Sequence, residues 1–576
     1  MSPQMTRRAL LAAAPLASNA CGKAEEAYFG KTNPPRGQRL VYLISAEPAS
    51  LDPAKSADLW ESYIVHSLFE GLTTLHPLTA EPMAGLATQF QVTSDGIRYT
   101  FFLRGHPEPR GERLPDTADL PREFSRGRIA RFGKQPSRWS DGTLITAHDF
   151  VYSWRRAVEP ATAAPFAYHL FCVGHAEEIT AGKCESSKLS VRALDDFTFQ
   201  VDLRAPAPSF PQLISNRIFC AVPRRAIKAS GPSWTDPGRI ISSGPFMLSE
   251  RRPNEHIVLI RNRQYYEENI VALSELVFFI VIDGTANVNL YKTGDAALIQ
   301  TYIPSLMPTL SRKRDFRSYP ACATIFQVIN TTKPPLDDVR VRYALNMATD
   351  KRAIADFMGV GRTPAPNLVP PIDGYDAPAS LPVTIDGVSC DVLAFNPQAA
   401  RELLGKAIGK RPLRLELLGP NLPEGKLLGQ IFKHQWRETL GVELTLVTEE
   451  LQTWIQSIFN KSYRGIAGWA DYAGHVDPSW FLNIYRSESS ANGTGWTDPK
   501  YDAMLVEAGG TTDNAERLRK LSECERYLLR AMPIVPLYAD VWVYMRKPFV
   551  RGLGANPLDR QQFKYAWIDT NWRAAA

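Results

Sequence analysis

At 576 residues the chain is too long for one hydrophobic core, and two or three domains are expected. Hydrophobic residues make up 44% and charged residues 22%, the balance of a soluble globular protein, and a net charge of +6 over this length carries no nucleic-acid signature. The 44 prolines and 37 glycines argue against a helix-only architecture.

The N-terminal run MTRRALLAAAPLASNACG, residues 5–22, has two arginines, a short apolar stretch and small residues before Cys21. That is the pattern of an export signal, too short for a permanent membrane anchor. Thr6-Arg7-Arg8 hints at twin-arginine export. Cys21 is the expected lipidation position, with ordinary cleavage after Ala20 as the alternative. Residues 22–37 read as a polar tether. No later stretch reaches the ~18 uninterrupted apolar residues of a membrane span.

RLVYLISAEP, from Arg39, reads as a buried strand stopped by Pro48, and IRYTFFLR, from Ile97, as another. Residues 104–138 are rich in proline and arginine without periodicity, which predicts a surface loop insertion. TAHDFVYSWRRAVEP predicts a helix. Thr146 and Asp149 form a capping-box pattern, Phe150, Val151, Trp154, Ala157 and Val158 make a core-facing stripe, and Pro160 ends the run. DDFTFQVDLRAP alternates as a strand, and residues 243–266 predict a hairpin turning at Arg251–Glu255. A second helical region begins near Asp338. LRLELLG and GVELTLVTEE, flanking a helix around Trp436, imply a parallel pair. Strands and helices are intermixed, so the class is α/β or α+β with several subdomains.

No catalytic constellation emerges. The nucleophile elbow, the phosphate loop and the HExxH pattern are all absent. The nine histidines are scattered, and Glu177-Glu178 and Glu449-Glu450 are neighbours whose side chains point apart. Beyond Cys21 six cysteines remain, with no CxxC pair to suggest zinc. Cys172 and Cys184 are close enough in sequence for a disulfide. These features predict no enzyme, metal site or cofactor.

GWADYAGHVDPSWFLN, from Gly468 to Asn483, places Asp471 among glycine and aromatic neighbours with no lysine or arginine inside the stretch. Several segments together resemble the oligopeptide-binding family of extracellular solute-binding proteins, family 5, which deliver ligand to ABC importers. They are SLDPAKSADLWESYIVHSLFEGL (from Ser50), WSDGTLITAHDFVYSWRRAVEPATAAPFAYHL (from Trp139), the 243–266 region, KPPLDDVRVRYAL (from Lys333), GWADY, FLN (from Phe481) and PIVPLY (from Pro533).

The resemblance implies a type II periplasmic-binding-protein fold: two α/β lobes joined by hinge crossovers, plus an extra domain. Lobe one would combine residues 38–68, 226–321 and 540–576, the extra domain 69–225, and lobe two 322–539. The 104–138 insertion departs from the family pattern and is expected to decorate the extra domain outside the cleft. The implied function is capture of short peptides in the inter-lobe cleft. Asp471 would receive the peptide α-ammonium, since a buried carboxylate without a protein cation is costly until one arrives. Most other contacts would be backbone ones, from Ala57, Asp58 and Leu59 on one side and Gly468 and Trp469 on the other. Phe166 stands where relatives often have tyrosine, Gln327 where they often have glutamate, and Trp454 is a candidate pocket wall. Ile466 replaces an arginine that receives the ligand carboxylate in relatives, with Arg464 nearby, and Cys322 lacks its usual partner cysteine.

The expected partners are therefore a short peptide and importer permease subunits. Membrane contact is expected only through the lipid tether, nucleic acid is not expected, and the chain should be a monomer, exported to the periplasm or cell surface. Two alternatives stay open: a receptor for a non-peptide solute (metal chelate, glycan or cell-wall fragment), and a non-transporting surface sensor or chaperone-like protein.

Overall fold

The computed structural model describes residues 27–125, 135–300 and 303–573. The expected export signal and the expected lipidation position, Cys21, lie outside them.

Two long strands, Phe316–Ile329 and Ile534–Arg546, run antiparallel through the middle of an eleven-stranded sheet. Both are rich in β-branched and aromatic residues, as strands buried on two faces require. Their pairing slips twice, between Pro320 and Thr324 and between Ile325 and Phe326. Proline cannot donate to a ladder. Pro320 borders the first slip, and Pro536 faces Phe326 at the second.

The two ends of this pair serve different halves of the sheet. At one end Ile534–Arg546 pairs with Leu298–Gln300, and the sheet continues through Arg39–Ile44, Glu275–Ile280, His256–Arg261 and Phe246–Arg252. At the other end Phe316–Ile329 pairs with Ile466–Tyr472, followed by Arg414–Pro420 and Glu443–Glu449. The last two are parallel, joined by the helix Pro423–Leu440, as their alternation predicts. The hairpin is also as expected, with strands Phe246–Arg252 and His256–Arg261.

A separate five-stranded antiparallel sheet contains Arg98–Leu103 and Thr198–Asp202. The helix Ala147–Val158 begins at the expected capping box of Thr146 and Asp149. Its Trp154 packs edge-on against Phe199 at 4.9 Å and Phe219 at 5.0 Å. One continuous apolar core joins this sheet to the Arg39–Ile44 half of the large sheet, and two further cores cover the faces of the other half.

One expectation needs correction, and one open question is answered. The 104–138 segment is more than a surface loop. Glu112–Arg113 adds a strand to the five-stranded sheet, and Leu114, Leu120 and Phe124 are buried. Thr117 donates to Glu267 at 2.8 Å, and Phe124 meets Tyr565 edge-on at 5.8 Å. The stretch is thus stapled to the large sheet's side of the molecule by apolar residues too irregularly spaced to show a period. Cys172 and Cys184 form no disulfide; all six cysteines among the described residues are free.

Candidate ligand-binding site

In the pairing of Ile466–Tyr472 with Phe316–Ile329, Asp471 stands opposite Thr324, Trp469 opposite Phe326, and Gly468 opposite Gln327. Cross-strand partners share a face and successive residues alternate. Asp471, Trp469, Thr324 and Phe326 therefore lie on one face, and Gln327 on the other. Gln327 is buried against Gly468, where an added Cβ would stand 3.7 Å from its Oε1.

Asp471 is 9% exposed. Its Oδ1 accepts a hydrogen bond from Trp480 Nε1 at 3.2 Å, while Oδ2 is buried without a partner. Among the described residues no lysine, arginine or histidine forms an ion pair with it. Burial pushes its carboxyl up to about 7, and the single bond from Trp480 opposes this only in part. Thr324 Oγ1, opposite it in the ladder, is also buried and unpartnered.

Trp480 comes from the short helix Pro478–Asn483, started by Asp477, whose side chain accepts from Ser479 N at 2.9 Å. Its ring stacks on His169, across the molecule, at 5.4 Å and 23°, and meets His475 edge-on at 5.4 Å. His169 lies between Tyr168 at 4.4 Å and Phe166 at 5.5 Å. Burial first, then the nearby His475, Arg217 and Arg560, push His169 down to about 3, so it stays neutral. The same approach is bridged by Val476 N, which donates to Gln212 Oε1 at 3.0 Å.

Asp58 caps the helix Leu59–Leu68. The backbone N–H groups of Ala57 and Asp58 both donate to Glu61, and Asp58 accepts from Glu61 N at 2.7 Å. Two backbone donors expected to face a ligand are thus spent inside the capping turn. Ala57 is exposed, and Asp58 and Leu59 are half-buried. Beside them Arg217 donates from Nε and Nη2 to Ser56 O at 3.3 Å, and its guanidinium lies 5.1 Å from the Phe166 ring centre.

The expected residues thus fall into two groups. Asp471, Trp469 and Trp454 share one sheet face, Trp454 resting on Trp469 at 5.1 Å, buried, with its Nε1 unpartnered. Asp58 and Phe166 lie beside Arg217, and Ala57 and Leu59 flank Asp58 in the chain. The His169–Trp480 stack joins the groups, and Gln327 belongs to neither. Arg464 is exposed before the strand begins at Ile466 and does not enter this arrangement. Cys322 is buried and free. Trp480, His169 and Arg217 were missed in the sequence. Trp480 lies inside the quoted 468–483 stretch and His169 inside the quoted segment from Trp139, while Arg217 lies in neither.

Residues 134–493 match the family described as bacterial extracellular solute-binding proteins, family 5 Middle. The chain is 32% identical to the periplasmic oligopeptide-binding protein OppA of Escherichia coli K12, over 98% of this chain and 99% of that protein. It is 31% identical to the periplasmic murein peptide-binding protein MppA of the same strain, over 90% and 91%. The solved structure of the Escherichia coli murein tripeptide binding protein MppA superposes with a TM-score of 0.76 at 28% identity, covering 93% of this chain and 99% of that one. The fold is the type II architecture that the resemblance implied. The chain belongs to the bacterial extracellular solute-binding proteins of family 5, which are binding proteins rather than enzymes.

Proposed function

We propose that this protein is an exported receptor that captures short peptides between its two lobes and passes them to an ABC importer. In this reading Asp471 receives the peptide α-ammonium. The supporting observation is its surroundings: it is buried, one oxygen has no partner and no cation pairs with it among the described residues, and burial drives its pKa up. An arriving ammonium supplies both the missing charge and up to three donors. The oligopeptide- and murein-peptide-binding names of the relatives agree with this ligand class.

The lobes meet at the two long strands, and we place the hinge at the slip around residues 320–324 and the facing 539–541, where the ladder is weakest. A peptide touching both lobes favours closure by its differential affinity for the closed form. The site residues on this view are Asp471, Trp469 and Gly468 with Ala57, Asp58, Leu59 and Phe166, and Trp454 as a pocket wall. Cys21 carries the lipid tether, which holds a monomeric receptor near permease subunits.

Titration calorimetry tests the assignment. Asp471→Asn should weaken binding of free-amine alanine peptides by about 3–5 kcal/mol, the range for breaking a buried pair. N-acetylated peptides should bind the wild type as poorly as free ones bind the variant. Equal binding of acetylated and free peptides would reject the ammonium site and favour a non-peptide solute.

A further inference from the structure

The chain enters its folded body on a basic face, away from the ligand cleft. Phe29 N donates to Asp315 Oδ1 at 3.0 Å, and Lys547 Nζ donates to Phe29 O at 2.9 Å, which pins the first described residues there. Tyr28 meets Trp572 edge-on at 5.5 Å, and the Arg314 guanidinium lies 5.1 Å from the Tyr28 ring centre. Arg317 donates to Arg314 O and Phe316 O, both at 2.7 Å, and so belongs to the same turn. Arg573 follows Trp572 in the chain. Burial first, then the charges of Arg317 and Arg551, push the Arg546 guanidinium down to about 10, against Tyr319 and Glu123.

These cations are not neutralised by the fold. Arg312, Arg314, Arg551 and Arg573 are exposed, Lys313 and Arg317 are half-buried, and none of the six forms an ion pair among the described residues. Asp315, inside the 312–317 run, is fully buried and already accepts from Phe29 N and from the Tyr291 hydroxyl at 2.6 Å. Glu123 and Asp569 border the face, and the tether sequence adds Glu25 and Glu26 against Lys23. Those acids are too few to cancel it.

Two lengths decide what such a face can meet. From Cys21 to Tyr28 the chain reaches at most about 25 Å. A lipid on Cys21 therefore holds this face within that distance of a bilayer. Attraction between exposed charges fades over a Debye length, about 10 Å at 0.1 M salt, so a short tether is what brings it into play. Basic clusters beside a membrane anchor strengthen attachment to anionic headgroups, each cation by about fivefold. In the other direction, the strand Phe316–Ile329 runs about 20 Å from Arg317 to Thr324, which stands opposite Asp471. A surface lying against Arg317 is that far from the ligand site.

We infer that this face, residues 312–317 with Arg551 and Arg573, docks on the anionic phospholipid surface to which the tether leads. The inference rests on the lipid-tether reading of Cys21 and adds a direct contact between the folded body and the headgroups. Docked this way, the receptor stands with one end of its two long strands on the membrane and the Asp471 site held clear of it.

Vesicle cosedimentation of the mature polypeptide, residues 22–576, made without lipid, tests the face apart from the tether; it contains every described residue. The probes are vesicles of phosphatidylcholine alone, and of phosphatidylcholine and phosphatidylglycerol in equal parts. The expected result is tenfold or tighter association with the mixed vesicles at low salt, abolished in half-molar sodium chloride. Combining Arg312→Glu, Lys313→Glu and Arg314→Glu should reduce association to the phosphatidylcholine level. Combining Lys410→Glu, Lys426→Glu and Lys433→Glu, on and beside the helix Pro423–Leu440, changes the net charge equally at exposed positions and should keep the preference. The wild-type comparison of the two vesicles decides even if a variant fails to fold. Equal association with both vesicles, or an equal loss in the two variants, overturns the inference. So does retention on heparin without association with vesicles, which would make the face a site for a soluble polyanion. Mass spectrometry of the exported protein's N-terminus reads the tether separately. An unmodified Cys21 together with vesicle association would reject the tether and keep the docking face.

Discussion

Asp471 and Asp477 stand in the same stretch of chain, both buried, and the structure treats them oppositely. Asp477 is gripped by Arg517 at 2.6 and 3.2 Å and accepts from Ser479 N as well. Burial works to raise its pKa, but the guanidinium outweighs it and holds the carboxyl below its ordinary value. Among the described residues Asp471 has one indole donor and no cation, and its carboxyl is driven up to about 7. Lack of a cation alone does not set Asp471 apart. Among the described residues Asp559 is also fully buried without an ion pair, yet three phenols and two amides point at it. A buried acid with a complete set of donors is satisfied by the fold; one left short of donors and charge is the candidate for the proposed cationic ligand.

The comparison breaks most visibly at Arg517. Arg517→Met leaves Asp477 buried and unpaired and should cost about 3–5 kcal/mol of stability in denaturant melts. If the loss is below about 1 kcal/mol, Asp477 is no better paired than Asp471 and the contrast fails.

Asp471→Asn should do the reverse to the ligand-free protein. The folded pKa near 7 lies above the ordinary carboxylate value, so burial of the charge costs most above pH 7. The cost shrinks as pH falls through the window from about 7 to about 4, where the folded state holds the extra proton. The variant should therefore be more stable than wild type by about 2–4 kcal/mol at pH 8 and no more stable at pH 4. Trp480→Phe is a gentler probe. It keeps the stack on His169 and removes the one donor, so free-amine peptides should bind about 1 kcal/mol more weakly by calorimetry.

This contrast also marks what the sequence could reveal. Alternation and capping signals put a hairpin within residues 243–266, a helix within 146–160 and a parallel pair at 413–419 and 441–450, and the structure has all three because each is encoded by neighbours in the chain. The lack of a lysine or arginine within 468–483 drew attention to Asp471, but the same test applies equally to Asp477, whose partner lies 40 residues away. Pairing of a buried charge is a tertiary fact. The surroundings of Arg217 and His169 are tertiary for the same reason: Phe166 and Ser56 meet Arg217, and Trp480 meets His169, only on folding. The 104–138 segment failed differently, since its buried Leu114, Leu120 and Phe124 follow no helical or strand period.

The most direct measurement is the proton balance of peptide binding, from calorimetry at pH 7 in two buffers of different ionisation enthalpy. A carboxyl near 7 is half protonated before binding and must lose that proton to pair with an ammonium, while the peptide amine takes up a smaller fraction. The account predicts a net release of about a third of a proton per trialanine, and affinity falling about tenfold per pH unit below 6. His169, held near 3 by burial, does not titrate there. Asp471→Asn should abolish the release. Wild-type binding with no proton released, or the same release from the variant, would contradict the claim that Asp471 waits for a cation.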